Sequence, residues 1–215
     1  MLKKLTDHLF CQPRMGRRIP VLVLSVILMG MCIAFFEKTR VGTDPCTVFN
    51  LSITQNVLHW QQLGPWQLIF NTVLLIVILL LKEGRCIGLG SLANMVLVGY
   101  SRDFFKPIVE WLLPGKMTSL LARGAVFVPA MALFLVAVAF YMVVDLGTAP
   151  YDAMSQIIAR RAKIPFAAVR ISYDIAVTVI GFLLGGQVGV FTVLSCFFLG
   201  PVISAIAAKF RPWFS

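Results

Sequence analysis

Residues 20–45 read PVLVLSVILMGMCIAFFEKTRVGTDP, a long apolar run that ends in a Gly-Thr-Asp-Pro motif. Residues 124–150, GAVFVPAMALFLVAVAFYMVVDLGTAP, follow the same plan and end in Gly-Thr-Ala-Pro. Each run offers close to the roughly 20 apolar residues that a helix needs to cross a bilayer. Because the backbone groups of a segment in lipid must be satisfied within that segment, each run predicts a membrane helix. The two stretches therefore predict an all-α membrane protein.

Composition supports this class of protein. Of the 215 residues, 59% are hydrophobic and 13% are charged, against roughly 45–50% and about 25% in soluble domains. The apolar runs do not alternate with polar residues, as the strands of a membrane barrel would. The net charge of +10 comes largely from short Lys and Arg clusters between the runs, a pattern typical of membrane proteins. A nucleic-acid interface needs one contiguous basic surface, so the expected partner is the lipid bilayer and not nucleic acid.

We predict about six membrane helices and two short polar helices. The predicted membrane helices cover residues 20–36, 66–81, 87–104, 124–144, 165–184 and 188–208. The short segments, 45–60 and 150–161, reach about 18–24 Å at 1.5 Å per residue, less than the ~30 Å hydrocarbon core. We expect their polar faces to lie inside the bundle or along a water-filled pathway, and a position in the membrane interface is the alternative. Residues 1–18 are predicted to be a cytoplasmic segment, with a short amphipathic helix near residues 2–10 or, as the alternative, a frayed terminus.

The chain also predicts a two-fold internal repeat, with residues 19–115 and 116–215 as the halves of one membrane domain. Landmarks recur in one order: Gly42-Thr43-x-Pro45 and Gly147-Thr148-x-Pro150, Gly64-Pro65 and Ile164-Pro165, and Gly88-x-Gly90-Ser91 and Gly189-x-x-Thr192. If the short segments dip into the membrane and return, each half crosses three times and the halves are inverted. If they cross, each half crosses four times and the halves are parallel. Length and polarity favour re-entry, the Lys and Arg distribution slightly favours crossing, and both arrangements leave the termini cytoplasmic.

The Gly-Thr-x-Pro motif has a mechanical explanation. Glycine allows a sharp turn, a Thr or Asp side chain can cap the next helix, and proline fits its first turn. A helix that starts inside a membrane presents free N–H groups and a positive dipole end, which suit a polar or anionic group, and transporters use broken helices in this way. The motif residues predicted for a substrate site are Gly42, Thr43, Asp44, Gly147 and Thr148. The alternative is that the motif only turns the chain.

Arg170 and Asp174 give the sharpest single signal. They lie four residues apart on one face of a predicted membrane helix, so they can pair with each other. An ionisable residue inside a membrane costs roughly 2.5–3.5 kcal/mol on insertion scales and marks a function by default. Asp152, in the second short segment, and Asn71, a neutral polar residue in the matching helix of the first half, complete the predicted substrate site. A salt bridge that only holds the two halves together is the structural alternative.

Three motifs carry a family resemblance. They are VGTDP at residues 41–45, LGTAPYD at residues 146–152, and Gly88-x-Gly90-Ser91 followed by Asn94, Gly99 and Asp103. On these motifs the chain resembles the YczE/YyaS/YitT group of bacterial multipass membrane proteins, over residues 18–208. Ala149, Phe191 and Ser204 depart from the expected pattern. The resemblance implies a protein of the bacterial cytoplasmic membrane and implies no particular solute.

These observations predict a secondary transporter or channel for a small polar or anionic solute. In this hypothesis the two halves rock about the site, Arg170 holds an anionic group and Asp174 accepts a proton. The alternative is a membrane scaffold or regulator that binds a partner and moves no solute. The sequence has no Walker motif, nucleophile elbow or HExxH motif, so we expect no enzyme activity, no catalytic residues, no cofactor and no metal site.

Overall fold

The computed structural model of the protein describes residues 15–211, and no residue in that range forms a β-strand. Its α-helices are α1 (Met15–Thr39), α2 (Pro45–Ser52), α3 (Gly64–Leu80), α4 (Leu89–Leu112), α5 (Leu120–Val144), α6 (Pro150–Ala162), α7 (Phe166–Leu183) and α8 (Val190–Phe210). A π-helical turn, Ile53–Val57, continues α2, and a 3-10 turn, Gly84–Cys86, precedes α4. The amphipathic helix predicted near residues 2–10 lies outside the described residues.

Each of the eight predicted helices has a counterpart, with changes at the ends. Helices α1, α5, α7 and α8 are long and apolar enough to cross a membrane, whereas α3 is apolar but has only 17 residues. Helix α4 runs to Leu112 rather than ending at residue 104. The first short α-helix ends at Ser52, ahead of the predicted end at residue 60, because the chain widens into the π-helical turn.

Helices α1 and α4 run in the same direction. Gly30, in the middle of α1, lies against Val98 and Arg102 of α4. Lys38, at the end of α1, donates a 2.8 Å hydrogen bond to the carbonyl of Gly115, just beyond the end of α4. Because a later residue of α1 contacts a later residue of the α4 segment, the two helices are parallel.

Helices α5 and α8 are parallel in the same way. Phe127 and Phe191, near the two helix starts, have ring centroids 5.2 Å apart. Phe140 and Phe210, near the two ends, have centroids 4.8 Å apart. The first and last long helices of each half of the chain therefore share a direction.

Helices α1 and α5 pack in opposite directions. Phe36, near the end of α1, packs on Phe127, near the start of α5, at 5.1 Å between centroids. Arg18, near the start of α1, donates to the carbonyl of Val144 at the end of α5. The described chain ends consequently lie on one side of the bundle, the terminal side, and the end of α1 lies on the other, the distal side.

Each short helix packs against a helix from the other half of the chain. Val48 of α2 lies against Gly181 of α7, and α2 runs from the middle of α7 towards the distal side. Ile157 of α6 packs on Ile78 of α3, and Arg160 pairs with Glu83 just beyond α3 at 2.7 Å. The short helices therefore bind the two halves together.

The loops that precede the short helices also reach into the other half. The carbonyl of Leu146 accepts a 2.7 Å hydrogen bond from the N–H of Gly90, at the start of α4. A Cβ atom on Gly88 would overlap the carbonyl oxygen of Leu146, and one on Gly189, before α8, would overlap that of Val41. The two contacts are reciprocal, since each joins the loop of one half to the last helix of the other.

Candidate functional site

The first Gly-Thr-x-Pro motif turns the chain and starts α2 as predicted. Gly42 has a φ of +121°, a conformation that favours glycine because it lacks a Cβ atom. Asp44 is the N-cap residue, its Oδ2 accepts a 3.1 Å hydrogen bond from the Thr47 N–H, and Pro45 occupies the first turn. Asp44 lies outside the long apolar helices, and burial raises the pKa of its carboxyl group, although the hydrogen bond from Thr47 acts in the opposite direction.

The second motif turns the chain in the same way but caps α6 differently. Gly147 has a φ of +109°, and Pro150 again opens the helix. The prediction that Thr148 caps this helix is wrong, because the proline places Ala149 at the N-cap position, without a side-chain cap. The N–H of Thr148 instead donates to the carbonyl of Cys86 at 3.1 Å, which ties the loop to the start of α4.

The start of α6 meets the middle of α7 in a partly buried ionic cluster, in which the side chain of Asp174 is buried and those of Asp152 and Arg170 are partly exposed. The Arg170 guanidinium donates from Nε to Asp174 at 2.9 Å and from a terminal nitrogen to Asp152. The Tyr151 hydroxyl donates a 2.8 Å hydrogen bond to the other oxygen of Asp174. The guanidinium also lies over the Tyr151 ring, 5.3 Å from its centroid, close enough for a cation–π interaction. The structure therefore brings together Asp152, Arg170 and Asp174 of the predicted site.

The start of α2 adjoins this cluster from the opposite direction. The Cys46 thiol, one residue after Pro45, lies close enough to Asp44, Asp152, Arg170 and Asp174 for all four charges to act on it. The α2 side chain of Asn50 is 2% exposed and accepts a 3.0 Å hydrogen bond from the Trp66 indole. These contacts pack α2 inside the bundle.

Two polar atoms next to the cluster have no hydrogen-bond partner among the described residues. They are the hydroxyl oxygen of Thr43 and the Oδ1 atom of Asp44. Thr43 is 5% exposed. Since a buried polar group without a partner costs roughly 1–3 kcal/mol, each such group in a folded protein calls for an explanation. A bound solute or water molecule would supply the missing partner.

A second ionic cluster lies on the distal side. Arg102 of α4 is fully buried and pairs with Glu37 of α1 and with Asp103 at 2.7 Å. Glu37 also pairs with Lys106 at 3.4 Å and accepts a 2.8 Å hydrogen bond from Gln55 in the π-helical turn. Glu37 therefore neutralises the buried guanidinium of Arg102.

Two neighbouring cavities lie beside Glu37. The larger, the distal vestibule, has a volume of about 520 Å³ and lies between the ends of α1 and α4, the π-helical turn and the loop before α5. The smaller, of about 70 Å³, reaches inward to Gly42 and Thr43. Four residues line both cavities: Glu37, Arg40, Gln55 and Gln187. The two cavities are thus adjacent and together extend from the distal surface to Thr43.

Asn71 and Thr148 are predicted site residues whose described hydrogen bonds go elsewhere than to the Arg170 cluster. The side chain of Asn71 is buried and donates to the carbonyl of Gln67 in its own helix at 2.9 Å. Sequence reasoning missed Tyr151, Cys46 and Arg102. Tyr151 stands directly beside the predicted Asp152, so its position in the motif gave a usable signal. Cys46 follows the first motif by one residue, and Arg102 gave no signal because its partner Glu37 is 65 residues away. Among the described residues, no group of three or more His, Cys, Asp or Glu is arranged to hold a metal ion.

Comparisons with known proteins agree with the predicted resemblance. A family model, DUF6198, described as a family of unknown function, matches residues 16–208. The chain is similar to an uncharacterized protein of Haemophilus influenzae, with 27% identity over 87% of this chain and 82% of that protein. It is also similar to the uncharacterized membrane protein YczE of Bacillus subtilis, with 24% identity over 84% of this chain and 80% of that protein. No solved structure matches the chain. The predicted YczE-like resemblance is confirmed, and the chain is an integral membrane protein that belongs to the DUF6198 family.

Proposed function

We propose that the protein transports a small polar or anionic solute across a bacterial cytoplasmic membrane and is built from two inverted halves. The observation that carries the proposal is the meeting of α2 and α6 at the cluster around Arg170. Both short helices begin there and run to opposite sides of the bundle. Helix starts that converge inside a membrane provide N–H groups and positive dipole ends for a solute, as broken helices do in transporters.

The helix directions support the inverted arrangement. Because α1 and α4 are parallel, the chain makes an odd number of crossings from the start of α1 to the end of α4. Helices α1, α3 and α4 supply three crossings if α2 returns to the side from which its loop entered. The antiparallel packing of α1 and α5 then inverts the second half, so six helices cross and the two described ends lie on the same side, which we assign to the cytoplasm. Length and polarity favoured this arrangement in the sequence, whereas the Lys and Arg distribution did not.

The two topologies differ in the position of the loop between α4 and α5. We expect Lys116→Cys, at an exposed position in this loop, to react in intact cells with a maleimide that does not cross membranes. Lys163→Cys, between α6 and α7, is expected to react only after the cells are opened, and wild type supplies the background of the native cysteines. Protection of Lys116→Cys until the cells are opened would contradict the inverted arrangement.

The ionic cluster supports a coupled mechanism. Arg170 already has two carboxylate partners, Asp152 and Asp174, so an anionic group would meet a net negative charge at the cluster unless one carboxyl group is protonated. Protonation of Asp174 would remove one of these charges and free part of the guanidinium for the solute. The solute and a proton would then bind together, and rocking of the halves would move both across the membrane.

The transport proposal is tested with purified protein in proteoliposomes that contain a pH-sensitive dye. Gradients of small neutral and anionic solutes, from glycerol and urea to succinate and inorganic phosphate, are imposed one at a time. We expect at least one solute to produce a change in volume or internal pH with the wild type. Asp174→Asn is expected to purify normally and to lose the coupled pH change, because the amide of the substituted side chain cannot take up and release a proton.

The matched control for this experiment is Asp145→Asn, which alters an exposed carboxyl group at the end of α5. It should transport as the wild type does. If the wild type moves none of the solutes, the result counts for a scaffold or regulator. If Asp174→Asn does not accumulate in the membrane while Asp145→Asn does, the ionic cluster serves folding instead of transport.

A further inference from the structure

The distal vestibule has a strong excess of basic side chains. Its basic lining residues are Lys38, Arg40, Lys106, Lys116 and Arg123. Its acidic lining residues are Glu37 and Glu110. They come from separate parts of the chain, namely the end of α1, the second half of α4 and the segment around the start of α5, so their convergence is a property of the folded protein.

Internal ion pairs leave this excess unchanged, because the two carboxylates Glu37 and Asp103 are balanced by the two cations Arg102 and Lys106. Glu37 is held by Arg102, which is not part of the lining, and by Lys106. The negative charge of Glu37 is therefore already offset within the protein. Arg40 and Lys116 are exposed and make no ion pair among the described residues within 4.0 Å. A cavity with walls of low dielectric constant concentrates the field of such charges and raises the local concentration of ions of opposite sign.

The size and position of the vestibule suit a small ligand. Its volume of about 520 Å³ lies within the roughly 300–1,000 Å³ of small-molecule sites. Its floor adjoins the smaller cavity that ends at Thr43, whose buried hydroxyl group has no partner among the described residues. A ligand in the vestibule thus has a polar route towards the start of α2.

We propose that the distal vestibule is a binding site for small anions that carry a phosphate or carboxylate group. Binding requires only the basic lining, whereas a role in loading the central site rests on the proposed transport function. The anion would exchange its water for charge-assisted hydrogen bonds from Arg40 and Lys116. It would sit above Arg40, which lines both cavities.

Iodide provides a direct probe because it is an anion that quenches tryptophan fluorescence on contact. Trp60 lines the vestibule and is 42% exposed. In a variant that keeps Trp60 and has phenylalanine at the other three tryptophan positions, we expect iodide to quench severalfold more strongly than the neutral quencher acrylamide. Inorganic phosphate at constant ionic strength should protect Trp60 from iodide, with a dependence that saturates.

Matched variants separate a site from a general charge effect. Arg40→Gln and Lys116→Gln each remove an exposed vestibule charge and should lower the iodide-to-acrylamide ratio at Trp60. Lys163→Gln removes an exposed charge outside the vestibule and should leave the ratio unchanged. A second single-tryptophan variant that keeps Trp111, which is 79% exposed and not part of the lining, should show neither iodide preference nor phosphate protection.

A final arm distinguishes a soluble anion from a lipid headgroup. If a lipid headgroup is the ligand, phosphatidylglycerol added to the detergent micelles should protect Trp60 from iodide, whereas inorganic phosphate should not. This outcome still supports an anion site. The site is refuted if iodide shows no preference for Trp60, if the charge variants do not alter it, or if protection by both phosphate and lipid fails to saturate. Because these readouts measure binding alone, they do not depend on whether the protein transports a solute.

Discussion

Gly88→Ala and Gly189→Ala are expected to destabilise the protein more than any other single-methyl addition at a described glycine. In each case the new Cβ would overlap a backbone carbonyl oxygen, that of Leu146 or that of Val41. Overpacking typically costs 1–3 kcal/mol and occasionally more. We expect at least about 3 kcal/mol here, because a backbone loop cannot move aside as a flexible side chain can. The loss is measured as a lower midpoint of thermal unfolding in detergent and a lower yield of folded protein.

The control for both variants is Gly124→Ala, in α5, because an added Cβ there meets no atom within 4 Å. This variant is expected to be neutral or slightly more stable, since alanine favours a helix over glycine by up to about 1 kcal/mol. If Gly88→Ala or Gly189→Ala were as stable as the wild type, the loop and the helix of the opposite half would not be in close contact. Similar losses of stability in both variants would support the equivalence of the two loop contacts, Gly88 with Leu146 and Gly189 with Val41.

Arg102→Gln is expected to cause the largest loss of stability among substitutions of charged residues. The guanidinium is fully buried, pairs with Glu37 and Asp103, and also donates to the carbonyl of Gln61 at 3.0 Å. Breaking one side of a buried ion pair costs about 3–5 kcal/mol because it leaves the partner charge uncompensated. Unfolding of the purified protein in increasing sodium dodecyl sulfate would measure this loss.

Lys106→Gln serves as the comparison, because its side chain is 25% exposed and its 3.4 Å pair with Glu37 is longer. Partly exposed pairs contribute about 0–1 kcal/mol, so this variant should be close to wild type. Adding Glu37→Gln to Arg102→Gln should recover part of the lost stability, since it removes one of the carboxylates left without a partner. Failure of the double variant to recover any stability would mean that packing of the Arg102 stem, not its charge, accounts for the loss.

The helices were predictable from the sequence because their signal is local. Apolar runs of about 20 residues and a proline at the first turn mark helices without knowledge of the rest of the chain. The cap of α6 was also within reach, because a proline at the first helical position, Pro150, assigns the cap to the residue before it. That residue is Ala149, whereas the same rule gives Asp44 in α2.

The site was predictable only where its partners lie close in sequence. Arg170 and Asp174 are one helical turn apart, so their spacing predicted the pair that the structure contains. Glu37 and Arg102 lie on different helices, and nothing in either segment specifies which partner it meets. Helix direction was beyond reach for the same reason, since an apolar run reads the same for either direction through a membrane. It emerged only from long-range contacts, such as that between Phe36 and Phe127.

The packing of each short helix on the opposite half has a consequence for biosynthesis. Helix α2 ends at Ser52, but its partner α7 begins only at Phe166, so α2 leaves the ribosome roughly a hundred residues ahead of the surface that covers it. During that interval its polar side chains, with Asp44 at the start, must remain in water, at the membrane surface or in the insertion machinery. Neither half alone supplies the surface on which its short helix packs, so a nascent chain that stops before α7 would carry α2 without its packing partner.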